Sequence, residues 1–83
     1  MQKYTEYALF LLRMEFELWR TREVAIEFHK DIYKHKYEIV EELFNEGYID
    51  GYIPDNSPMF CCTLSEKAMA IPVLIAPKGG QTK

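Results

Sequence analysis

The stretch EIVEELFNEGYIDGYIPDNSPMFCCTL, residues 38 to 64, changes its periodicity at one glycine. That change constrains the fold more than anything else in the chain. Before Gly47 the apolar residues recur at helical spacing: Tyr33, Tyr37, Val40 and Phe44 form one stripe, widened by Ile32, Ile39 and Leu43. After it, the alternating runs YIDGYI and MFCCTL flank the turn-forming cluster PDNSP. The pattern predicts a helix that stops on a glycine and passes at once into a β-hairpin. Gly47 suits the left-handed residue wanted just past a helix, with Tyr48 folding back on Leu43. Ile49 and Ile53 are expected to point one way on the first strand. Phe60, Cys62 and Leu64 then face the same core from the second, and Cys61 faces out.

Upstream, Tyr4 to Met14 predicts a first helix with Tyr7, Leu11 and Met14 on one side and Ala8 and Leu12 beside them. Prolonging that helix puts Glu15 in the middle of an apolar arc between Leu11, Leu18 and Trp19. The run EFELWRT alternates instead, which predicts a short extended segment, and a longer helix through Arg20 stays open. Phe16, Leu18 and Trp19 are assigned to the core. Thr21 is expected to cap a second helix over REVAIEFHKD, with Val24, Ala25 and Phe28 on one face. The third helix begins near Lys34, with Asp31 as the best available cap. After the hairpin, LSEKAMAI predicts a short helix capped by Ser65 and stopped by Pro72. These elements make one domain over residues 1–72. Residues 73–83 form an apolar extension, VLIA, and a tail, PKGGQTK, with the composition of a disordered end.

With 48% apolar residues among 83, a real core is available, and the 14% of aromatics exceeds what a minimal core needs. Some aromatic rings are therefore expected either at a surface that meets a partner or, for the Tyr rings, capping the edges of a small core. The net charge of −3 argues against a general polyanion binder. Even so, positive charge gathers in HKDIYKHKYE, residues 29 to 38, where Lys30, Lys34 and Lys36 sit with His29 and His35. The two histidines lack companions at metal-ligand spacing, and no nucleophile–base arrangement is identifiable, so neither a metal, a cofactor nor catalysis is expected. The adjacent Cys61 and Cys62 point to opposite faces of a strand, which disfavours a disulfide and suggests a reducing, cytoplasmic setting. No signal peptide or membrane span is expected, because the apolar run Tyr7–Leu12 is short and meets Arg13.

Helix, short strand, helix, helix and hairpin in that order resemble a winged-helix domain, an α+β fold with a two-stranded wing and here a short C-terminal helix. Three stretches carry the resemblance: ALFLLRM is similar to the usual first helix, EIVEELFNEGYIDG to the end of a recognition helix entering the wing, and TLSEKA to the closing junction. The resemblance implies a third helix in the DNA major groove, with Lys34, His35, Lys36 and Tyr37 touching bases and phosphates. Lys30 and Arg22 would then lie on phosphates, in a homodimeric transcriptional regulator paired through the first helix and VLIA. Lysines at the start of that helix gain affinity by displacing condensed counterions. Against this stand Asp50 and Asp55 in the wing, Glu38, Glu41 and Glu42 on the helix, and no arginine beyond Arg22. The alternative is a protein-interaction module, such as a small phage- or plasmid-type accessory or inhibitor protein, using Tyr33, Tyr37, Tyr48 and Tyr52 with the acidic hairpin.

Overall fold

The helix α1 (Lys3–Trp19) is continuous past Glu15. It buries Thr5, Ala8, Leu9, Leu12 and Arg13. The computed structural model describes residues 1–73; of the expected apolar extension and tail only Val73 falls within that range. Leu18 and Trp19 are 63% and 70% exposed and Phe16 is half-buried, which corrects the expectation that all three are core. Glu15 therefore has no apolar arc to interrupt, and the expected extended segment over EFELWRT is not formed. Tyr7 likewise stands partly outside, and the buried face lies one position round, on Leu9 and Leu12. The helix ends on Arg20 in the left-handed region (φ 59°), whose amide donates to the Phe16 carbonyl at 2.6 Å.

Instead of a second helix after Thr21, the chain forms β1 (Glu23–Glu27), a correction with a clear cause. Val24, Ile26 and Phe28 are buried while Glu23 and Glu27 are exposed, which is a period of two, and the β-branched residues favour it. One turn of helix, α2 (Lys30–Tyr33), follows, then α3 (Lys36–Asn45), β2 (Ile49–Tyr52), β3 (Met59–Leu64) and α4 (Glu66–Met69). The helix α3 starts from His35 without a side-chain cap, so Asp31 does not serve it. Its end matches expectation: Gly47 has φ 81°, its amide donates to Phe44 and that of Tyr48 donates to Leu43 at 2.9 Å. Ser65 caps α4, its hydroxyl accepting from the Ala68 amide at 3.3 Å.

The three strands form an antiparallel sheet in the order β1-β3-β2. The described residues thus make an α+β fold of four helices and one three-stranded sheet, compatible with a winged-helix-like arrangement. Phe60, Cys62 and Leu64 turn inward from β3 as expected, into the core cluster that also holds residues of α1 and α3. Phe28 and Phe60 stack with centroids 5.5 Å apart at the centre of the core. Burial pushes the Cys62 thiol up to about 12, so it is held as the neutral, unreactive form. Ile49 is buried but Ile53 is 61% exposed, because an irregularity between Ile49 and Gly51 breaks the alternation.

Glu42 on α3 anchors the start of α1. Its carboxylate accepts from the Thr5 hydroxyl at 2.7 Å and from the Gln2 amide, placing negative charge where the helix dipole favours it. The Thr5 hydrogen bond, aided by the Gln2 amide, holds the Glu42 carboxyl below its ordinary 4.5. At the other side, buried Arg13 grips the Ile71 carbonyl through Nε and Nη2 (3.3 and 2.9 Å) and pairs with Glu17.

The register of α1 predicts that Leu12→Ala lowers the unfolding free energy by about 2–5 kcal/mol, whereas Trp19→Ala changes it by less than about 0.5 kcal/mol, both read from urea melts. A Glu42 pKa below 4.5 means that the ionised form stabilises the fold, fully so above that pH and decreasingly as pH falls through the lowered value. Glu42→Gln is expected to melt earlier than wild type at neutral pH, with the gap narrowing as pH falls below 4.5 and the carboxyl takes up its proton.

Candidate functional site

The start of α3 is tied to the hairpin tip by one ammonium group. Lys36 is 9% exposed, and its Nζ donates to the carbonyls of Ser57 (2.6 Å), Asp55 (2.8 Å) and Met59 (3.2 Å). An ammonium has three donors, and all three are occupied. Around this clasp the loop holds itself: Asp55 accepts the Ser57 amide at 2.8 Å, and the Ser57 hydroxyl accepts that of Met59 at 3.2 Å. The Ser57 bonds, helped by the charge of Lys36, hold the Asp55 carboxyl below its ordinary 3.8. The Tyr33 hydroxyl donates to the Asn56 carbonyl from α2.

Held apart in this way, α3 and the hairpin enclose an open groove of about 640 Å³. Its floor is Val40 and Phe60, both buried. Its walls are Tyr37 (80% exposed), Phe44 (50%), Tyr52 and Ile53. Phe44 and Tyr52 meet edge to face across it at 6.1 Å. Glu41 and Asp55 supply carboxylates, and Lys36 is the lone cation in its lining. Of the expected stripe, Tyr37, Val40 and Phe44 do lie together on α3, while Tyr33 belongs to α2; the stripe is largely not the core face, since the core takes Ile39, Val40 and Leu43 with Lys36. The two stripes lie roughly 80° apart round the helix at 100° per residue. A helix apolar over two stripes was the available signal for this site. Ile53 was hidden by the assumption that β2 alternates without a break.

The expected nucleic-acid residues are scattered. Lys30 and Lys34 are exposed and make no ion pair among the described residues. His35 stacks on Tyr4 at 4.2 Å and lies 3.1 Å from the Glu38 carboxylate. Arg22 sits at the base of the sheet, donating to the Leu64 carbonyl at 2.8 Å and to Asp50 at 3.1 Å. Lys36 is turned inward, which corrects its place in a solvent-facing basic patch, and Tyr37 opens onto the groove. Of the expected protein-contact tyrosines, Tyr37 and Tyr52 come together in the groove. Tyr33 braces the loop, and half-buried Tyr48 lies under Lys67, whose Nζ is 4.6 Å from its ring.

Among the described residues no three His, Cys, Asp or Glu side chains are gathered as a metal site would need, and no helix is long and apolar enough to cross a membrane. Of the expected dimer surface, α1 and Val73 are described, and residues 74–76 lie outside the described range. The chain matches no protein-family model, no curated protein and no solved structure.

Lys36→Met keeps the aliphatic stem but leaves three carbonyls without their donor. It is expected to cost about 1–3 kcal/mol of stability and to raise amide hydrogen exchange selectively at Ser57 and Met59, measured by NMR.

Proposed function

We propose that the chain is a winged-helix module that receives a protein partner in the groove between α3 and the hairpin, and that it does not read duplex DNA. One observation carries this reading. The solvent side of α3 displays Tyr37, Glu38, Glu41 and Phe44, while its one lysine is buried against the hairpin. A helix of this kind brought into the major groove would set Glu38 and Glu41 against phosphates, and like charges in proximity oppose binding. Exposed aromatic rings beside an apolar floor are instead the usual material of a protein contact. The hairpin agrees, since its tip offers Asp55 and no basic side chain.

A second reading keeps duplex DNA as the partner of a homodimeric regulator of transcription. Exposed Lys30 and Lys34 beside His35 favour it, at the turn leading into α3. Anisotropy of labelled random-sequence duplex at low and moderate salt, with light scattering for the mass, separates the two. No binding even at low salt is expected. Salt-sensitive binding by a dimer, with a slope that shrinks by about 2 in the Lys30→Ala/Lys34→Ala variant, would establish the DNA reading in its place.

A further inference from the structure

The groove has a sign as well as a shape. Its charged lining residues are Lys36, Glu41 and Asp55. The ammonium of Lys36 has all three donors engaged by carbonyl oxygens, so its charge acts on Asp55 but it offers no free donor to a ligand. Glu41 is exposed and makes no ion pair among the described residues, and Asp55 is exposed and kept ionised by its bonds to Ser57. The opening therefore carries two carboxylates and no free ammonium or guanidinium among its described lining. Three aromatic rings, those of Tyr37, Phe44 and Tyr52, stand beside them with π faces that attract a cation.

Resting on the protein-partner reading, we propose that the occupant of this groove is a cationic peptide segment of a partner protein, bearing arginine or lysine next to apolar side chains. The apolar residues fill the floor over Val40 and Phe60. A basic side chain lies across Tyr37 or Phe44 with its charged end at Glu41. The combination suits arginine best, whose planar group stacks on rings and forks onto a carboxylate. The volume fits a few side chains of one segment, within the range of about 300–1,000 Å³ typical of small concave sites. An excess of carboxylates over the chain, with net charge −3, draws a basic segment in and turns an acidic one away.

A random dodecapeptide display library panned on the full chain tests this, with counter-selection on the Tyr37→Ala/Phe44→Ala variant. Both substituted residues are exposed, so the variant is expected to fold, which circular dichroism checks. Peptides lost on the variant should be enriched in arginine or lysine beside Leu, Ile or aromatic residues. Their affinity should fall about tenfold with Glu41→Lys, which adds a repulsive charge at the mouth. Replacing their arginine by citrulline should weaken binding in the same sense. Groove-dependent peptides that are neutral or acidic would overturn the cationic occupant while leaving a protein-binding groove in place. A library yielding no peptide dependent on Tyr37 and Phe44 would overturn both.

Discussion

The ammonium of Lys36 decides how the two halves of this fold meet. A buried charge is tolerated only with its donors satisfied, and here backbone carbonyls from three residues of the hairpin tip do so. The loop has no side-chain core of its own: residues 54–56 are exposed, Ser57 is half-buried, and Pro58 is exposed. Its shape therefore comes from the Lys36 clasp together with its own Asp55 and Ser57 bonds and the Tyr33 hydroxyl. Hydrophobic packing assembles α1, α3 and the inner sheet face around Phe28 and Phe60, but it does not reach the tip. The clasp takes over where the core ends.

The same contact reverses the electrostatic meaning of the helix. In the sequence, Lys36 belongs to a cluster with Lys34, His35 and Lys30 that looks basic. Folded, it leaves the surface, and Glu38 pairs with His35. The solvent side of α3 is then acidic and aromatic. Local charge in a sequence is a poor guide to surface charge when one long side chain can reach an interior carbonyl.

The hairpin, the left-handed Gly47 and the Ser65 cap were legible because each depends on a few neighbouring residues and a local backbone requirement. The order of elements was also legible, though the first strand was placed one segment early. The errors share a cause. EFELWRT and EVAIEF both alternate, and only the partner strand β3, with Val24 opposite Cys62 and Ile26 opposite Phe60, selects the second. Trp19 and Leu18 are apolar and expected in the core, yet helix phase carries them out. Val40 lies on the boundary between the two stripes of α3, so periodicity alone does not say which stripe is core. The groove itself depends on Lys36 reaching across 21 residues of chain to Ser57, a contact with no trace in local pattern.

At the opposite end of the hairpin the Ser65 hydroxyl donates to the Gly47 carbonyl at 2.5 Å, its amide donates to Tyr48 at 3.0 Å, and Lys67 reaches the Glu46 carbonyl at 2.6 Å. These bonds knot the exit of α3 to the return of β3. With the Lys36 clasp at the far end, helix and hairpin are joined at both extremities, like the two sides of a frame. The gap between them is bounded by hydrogen bonds at each end. For the segment proposed to dock there, a gap tied at both ends would set the width that its side chains have to match, and the ordering cost would fall mainly on that segment.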